Sequence, residues 1–162
     1  MTAAIRVGWG FDAHRFGGTE PLVLGGVTLP AATGVIATSD GDVAAHALAD
    51  ALLGAAALGD LGSHFPSSDP RWERASSLQI LERVAALCAA EGLVIGNVDV
   101  TVVAQEVRIA PHREAMRTAL AAALGIGVER VSVKATTTDG LGFVGGGEGI
   151  AAHAVATLQS SA

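Results

Sequence analysis

The stretch Ser39–Gly62, SDGDVAAHALADALLGAAALGDLG, most constrains how this chain can fold. Alanine and leucine fill it, so as a helix it is apolar nearly all round and must be buried rather than laid on a surface. Yet three ionisable side chains, Asp42, His46 and Asp50, recur in it at steps of four. At that spacing they stand along one face of a helix. Two readings are open. One is a capping aspartate followed by a solvated stripe, since Ser39 followed by Asp42 has the form of a capping box. The other is a row of functional groups carried to the edge of a core.

A second cluster bears on the choice. FDAH places Asp12 and His14 two apart, on the same side of a strand. Together with a helical His46 they could hold a zinc ion, and three protein ligands leave the fourth position open, as in catalytic sites. Asp42 and Asp50 could then orient a ligand imidazole or touch substrate. Taken alone, the D-x-H pair fits a strand-end turn equally well. Further along, ATTTDGLGFVGGGEG offers hydroxyls, an aspartate and backbone N–H groups. That suits phosphate oxygens and a second divalent cation at Asp139, although a structureless loop has the same composition. The turn-rich GDLGSHFPSSDP follows the His46 helix directly and reads either as part of a site or as an ordinary connection.

Strand and helix signals interleave along the rest of the chain. AIRVGWGFDAH reads as a first strand, and PLVLGGVTLP as a hairpin about Gly25-Gly26. SSLQILERVAALCAAEG is a helix capped by serine and closed by Gly92. VDVTVVAQ and RVSVKATTT are strands; PHREAMRTALAAALG is a helix with Pro111 near its start and Gly125 past its end. GIAAHAVATLQ is ambiguous between strand and helix. The class is α/β or α+β, a sheet with helices on it, in one domain over residues 1–162.

Composition narrows the partners. Half the residues are hydrophobic and 16% are charged, against roughly 25% in ordinary soluble domains. So much apolar surface predicts a homo-oligomer. The formal charge is −6, tyrosine is absent and there is no basic run, which argues against nucleic acid. The single cysteine, Cys88, sits in a helix-core pattern and excludes an intrachain disulfide. The first residues lack a charged head followed by an apolar run, and no stretch of ~20 apolar residues could span a membrane. The expected location is the cytosol.

Taken together, VGWGFDAHRFGG, SDGDVAAHALADALLGAAALGDLG, GNVDVTVVAQ and VKATTTDGLGF resemble the 2-C-methyl-D-erythritol 2,4-cyclodiphosphate synthase family nearly end to end. The resemblance implies an α+β subunit, a mixed sheet with helices on one side, assembled as a homotrimer with active sites between neighbours. It implies a phosphorus-oxygen lyase of the non-mevalonate isoprenoid route. In 4-diphosphocytidyl-2-C-methyl-D-erythritol 2-phosphate the 2-phosphate attacks the β-phosphorus, CMP leaves, and a cyclic diphosphate forms. Zn²⁺ or another divalent metal would be held at Asp12, His14 and His46, and Mg²⁺ or Mn²⁺ would bridge the diphosphate at Asp139. Thr137 would hydrogen-bond the developing charge. Asp60, Leu61, Gly62, Phe65, Pro66, Ser67, Ser68 and Asp69 would hold the methylerythritol part, and Ser39 would also bind substrate. Ala104, Gln105, Glu106, Val107, Arg108, Ile109 and Ala110, with Thr136, Thr137, Thr138 and Asp139, would hold the cytidine and its phosphates. Lys134 could add charge nearby.

Several positions depart from the family pattern. Thr38 replaces a histidine expected beside the reacting phosphates, and Ser67 replaces an aspartate. Val107 and Arg108 stand for proline and lysine. Phe143 and Gly146 would line a cavity on the threefold axis, where Gly146 replaces an arginine and His153 an acidic residue. A metal-dependent phosphohydrolase, or a weakly active trimer that binds isoprenoid diphosphates or partner proteins, are the alternatives.

Overall fold

The computed structural model describes residues 4–161. The reading of the N-terminus as no leader rests partly on residues 1–3, outside the described residues. β1 (Ile5–Gly18) is where a buried helix meets a sheet. Ile5, Val7, Trp9 and Phe11 point to one face and are exposed. The alternate positions face α1 (Val43–Ala56), and two of them are Gly8 and Gly10. A Cβ at Gly8 would lie 1.9 Å from the Ala51 carbonyl oxygen, and one at Gly10 1.9 Å from that of Ala47. The glycines therefore let helix backbone rest on strand backbone. Gly8 faces Ala51 and Ala55, whereas Gly10 faces Ala47 and Ala51, so α1 runs antiparallel to β1. Arg6 reaches the carbonyls of Ala55 and Ala56 at the helix end. The next inward positions after Gly10, Asp12 and His14, accordingly arrive at the helix start.

β1 pairs with β4 (Gly34–Val35) on one side and β7 (Gly149–Ser160) on the other. β5 (Leu93–Val103) and β6 (Val131–Thr136) complete a five-stranded sheet of order β4-β1-β7-β5-β6. Only β5–β6 is parallel. The crossover between them carries α4 (Arg113–Leu124), as a parallel pair requires. α3 (Ser77–Ala90) packs between α1 and α4. One core joins α1, α3 and α4 to the sheet, with Leu48, Leu52, Leu81, Met116, Leu120 and Leu158 fully buried. No helix among the described residues is long and apolar enough to cross a membrane. The α+β architecture with a mixed sheet agrees with the expected class.

The hairpin forms as read: β2 (Leu22–Leu24) and β3 (Val27–Leu29) flank Gly25 at φ 55° and Gly26 at φ 76°. Two successive left-handed residues give the turn that matches strand twist. The ambiguous tail is strand β7, inserted between β1 and β5. Pro111 lies in a 3₁₀ turn, Ala110–His112, just ahead of α4. The expected capping box is corrected. Asp42, not Ser39, caps α1, accepting from the N–H groups of Ala44 and Ala45. Cys88 is fully buried, and burial raises its thiol.

On the far side of the sheet from α1, Trp9, Phe11 and His153 form an aromatic cluster, with His153 at 4.9 Å from Phe11 and 5.7 Å from Trp9 between ring centroids.

Candidate functional site

Asp12 and His14 enter from β1 and His46 from the first turns of α1, because the glycine-lined contact fixes strand and helix in register. Ligand-type atoms of the three residues lie within 4.8 Å of one another, the one such group of three among the described residues. Asp12 Oδ2 is 3.0 Å from His46 Nδ1 and 3.1 Å from His14 Nε2. The His14 contact is not aligned as a hydrogen bond, so His14 Nε2 is buried without a partner among the described residues. Burial alone would raise the Asp12 carboxyl, but the two imidazoles beside it win and hold it at about 2. Burial would lower His46; the adjacent Asp12 carboxylate, with Asp42 and Asp40 farther off, outweighs it and raises the imidazole. One carboxylate oxygen and two ring nitrogens converging on a point, one of them orphaned, fit a divalent metal of the zinc type.

A cavity of about 230 Å³ opens beside His14 and His46, and Thr38, Ser39, Leu61, Gly62, Phe65 and Ser67 line it. The family resemblance assigns Thr38 to catalysis and the other five to substrate. Ala37, Trp72 and Ile80 complete the wall; none carries a sequence signal, because their apolar character is that of ordinary helix and turn filler. A second cavity of about 480 Å³ shares Thr38, Ser39 and Ser67 and adds Ser68 and Asp69. Asp69 is engaged by Arg71 at 2.6 Å. Asp60 caps α2 (Leu61–His64), accepting from Ser63 N–H and Oγ–H, which together lower its carboxyl. Pro66 lines neither cavity.

The reading of Asp42 is corrected. Asp42 meets no imidazole. It is fully buried, and its two oxygens accept from Gly25, Gly26, Ala44 and Ala45 N–H at 2.7–3.1 Å. It is a structural clamp, closed to substrate. Asp50 accepts from Leu61 N–H at 2.7 Å and so holds the start of α2; burial raises its carboxyl. The groups that do reach the imidazole are Ser77 Oγ, 2.8 Å from His46 Nε2, and Ser39 Oγ at 3.3 Å. Ser77 in turn donates to Asp40 Oδ1. The Ser77 contact spans 31 positions and carries no local sequence signal.

The remaining expected residues gather elsewhere on the chain, at the carboxyl ends of the parallel strands β5 and β6. Ala104 N–H donates to Thr136 O at 3.0 Å, and Gly140 N–H to Gln105 Oε1 at 3.2 Å. The segments 104–110 and 136–139 are thus neighbours. Gln105, Glu106, Val107 and Arg108 line a cavity of about 490 Å³. The Ala104 and Ile109 side chains belong to the core, and Ala110 starts the 3₁₀ turn. Thr137 Oγ1 accepts from Asp139 N–H at 3.2 Å, and Thr138 Oγ1 donates to Leu141 O. Asp139 takes φ 55°, a left-handed conformation that aspartate tolerates. The segment is an ordered turn rather than a structureless loop. Phe143, in α5 (Gly142–Gly145), is exposed, and Gly146 follows that helix. Lys134 pairs with Asp99 at 2.6 Å. None of residues 104–110 or 136–139 lines the cavity beside His46.

The chain is similar to known proteins along nearly its whole length. The YgbB family model matches residues 5–159. A 2-C-methyl-D-erythritol 2,4-cyclodiphosphate synthase from Pseudomonas aeruginosa is 55% identical over 156 residues, 96% of this chain and 99% of the relative. One from Thioalkalivibrio sulfidiphilus is 56% identical over 158 residues, 98% of this chain and 99% of that one. Among solved structures, a bifunctional IspDF from Campylobacter jejuni superposes with a TM-score of 0.94 at 40% identity, over 98% of this chain and 43% of that one. A Plasmodium falciparum IspF in complex with CDP gives 0.86 at 31% identity, over 98% of both chains.

Proposed function

This chain belongs to the YgbB family, and we propose that it turns 4-diphosphocytidyl-2-C-methyl-D-erythritol 2-phosphate into the 2,4-cyclodiphosphate and CMP. Its activity is that of a cyclodiphosphate synthase of the non-mevalonate isoprenoid route. The observation that carries the reading is the Asp12, His14, His46 cluster opening on a cavity walled by Thr38, Ser39, Leu61, Gly62, Phe65 and Ser67.

An oxygen of the 2-phosphate bonds to the β-phosphorus as the bond to the CMP oxygen breaks. The attacking oxygen is already ionised, so no serine–histidine pair is needed, and ring closure within one bound molecule gains chiefly from positioning. Asp12, His14 and His46 would hold a divalent ion, and Asp139 a Mg²⁺ or Mn²⁺; these would supply positive charge to phosphate oxygens. Thr38 and Ser39 offer hydroxyls at the cavity wall. Phe65, Leu61 and Gly62 exclude water around the methylerythritol carbons. Thr137 offers a hydroxyl to the developing charge. The cytidine is held by backbone groups of residues 104–110.

The metal half and the nucleotide half line separate cavities of one chain, in keeping with the family resemblance, which implies active sites between neighbouring copies. The exposed Ile5, Val7, Trp9 and Phe11 stripe suits burial against neighbours in a homotrimer. Incubation with the diphosphocytidyl substrate, followed by phosphorus NMR, tests the activity. Cyclic diphosphate plus CMP is expected. Linear phosphates would make the protein a hydrolase, and no turnover a binding protein.

A further inference from the structure

We propose that Asp40 and Ser77 are positioning residues that hold His46 in one tautomer, Nε2 protonated and Nδ1 bare, and so decide which ring nitrogen is offered to the metal. The inference rests on the reading of Asp12, His14 and His46 as metal ligands.

Proton counting carries the argument. Ser77 opens α3 and is 1% exposed, so water does not stand in for its partners. Asp40 faces it with both oxygens: Oδ2 accepts from Ser77 N–H at 2.9 Å, and Oδ1 contacts Ser77 Oγ. An ionised carboxylate only accepts, and a serine hydroxyl has one proton. That proton goes to Asp40. What Ser77 Oγ presents to His46 Nε2, 2.8 Å away, is therefore a lone pair. Nε2 must carry hydrogen to meet it. Ser39 Oγ, 3.3 Å from the same nitrogen, imposes nothing, since its own proton is free to point toward or away from the ring. It would tolerate either tautomer. The Asp40–Ser77 pair tolerates one.

The consequence falls on the other side of the ring. With Nε2 protonated, neutral His46 turns the Nδ1 lone pair toward Asp12 Oδ2 at 3.0 Å. Two acceptors at that separation repel unless a cation stands with them. Asp40 and Ser77 thus make the ring a cation ligand rather than a hydrogen-bond donor to Asp12. Hydrogen-bonded groups behind a ligand imidazole fix its orientation and raise its basicity.

The test uses purified protein with ¹⁵N-labelled histidine. Ser77→Ala removes the hydroxyl but keeps the backbone N–H that Asp40 accepts, so the start of α3 is retained; a thermal melt checks this. Ser77→Thr restores a hydroxyl. In zinc-loaded unmodified protein, two-bond ¹⁵N–¹H correlations should show Nε2 protonated, with its proton slow to exchange. Ser77→Ala should speed that exchange and weaken zinc binding, measured by chelator competition, roughly tenfold or more; Ser77→Thr should recover both. A protonated Nδ1 in the unmodified protein would overturn the inference. So would a Ser77→Ala protein with unchanged exchange and zinc affinity within about twofold. If the unmodified protein takes up no zinc, the metal reading fails by itself. The tautomer is then read in the metal-free protein at alkaline pH, where loss of the Nε2–H preference in Ser77→Ala supports the proton-counting argument and an unchanged preference overturns it.

Discussion

Thr38 is exposed on the wall of the cavity that it shares with His14 and His46. Its hydroxyl supplies one neutral donor where a histidine would supply a donor able to carry charge. Losing a preorganised donor costs about 10²–10³ in rate, and a hydroxyl in its place recovers part of that. Thr38→His is therefore expected to raise kcat roughly tenfold with little change in KM; steady-state kinetics decide it, and an unchanged kcat would place Thr38 outside the chemistry. The ligands give a second expectation. His46→Ala should lose metal and at least about 10²–10³ in turnover, read by metal analysis and assay. Acid should release metal by protonating His46 rather than Asp12. His46 is raised above its ordinary 6.5, whereas Asp12 stays ionised down to about 2. Affinity should thus rise with pH through the region above 6.5, and chelator competition across neutral pH measures it. In metal-free protein the sign reverses. Stability from charged His46 is complete below the unfolded value and is lost as pH rises through the folded one. At this scale the Asp12, His14 and His46 cluster was legible because period-two and period-four spacing names a face. The role of Asp42 was not. Its four N–H partners include Gly25 and Gly26, which no local pattern connects to it.

Elements were legible wherever turn chemistry or alternation was strong, as at the Gly25-Gly26 hairpin. GIAAHAVATLQ stayed ambiguous because a strand flanked by two others and covered by a helix loses its alternation: Gly149–Ala152 are all buried. The contact of β1 with α1 yields a sharper expectation. Gly10→Ala would drive a Cβ to 1.9 Å from Ala47 O, pushing α1 from the strand and parting His46 from Asp12 and His14. A loss of about 1–3 kcal/mol or more is expected, with metal affinity falling alongside. Gly54→Ala, in the same helix, is the contrast. It is exposed, with nothing within 4 Å of the added Cβ, and should gain up to about 1 kcal/mol from helix propensity. Urea unfolding of both variants measures the difference; equal effects would mean that backbone contact does not set the strand–helix spacing.

For the whole molecule, the separation of the metal cavity from the 104–110 and 136–139 segments predicts complementation. On the proposed function, His46→Ala and Thr137→Val should each disable one half of every site. Mixed by unfolding and refolding together, they should regain activity, because about a quarter of randomly formed boundaries unite two intact halves. An assay showing no recovery would mean that each site lies within one chain. Composition hinted at association, but the face proposed for it was readable only once β1 had set glycine inward and Trp9 and Phe11 outward. Asp42 has a further consequence of this kind. Its one carboxylate holds the amides of Gly25 and Gly26 as well as the first turn of α1. Those two amide hydrogens can trade for deuterium only when the carboxylate releases them. Their exchange rate therefore reports how often the ligand-bearing end of the helix loosens, and the hairpin keeps time for His46.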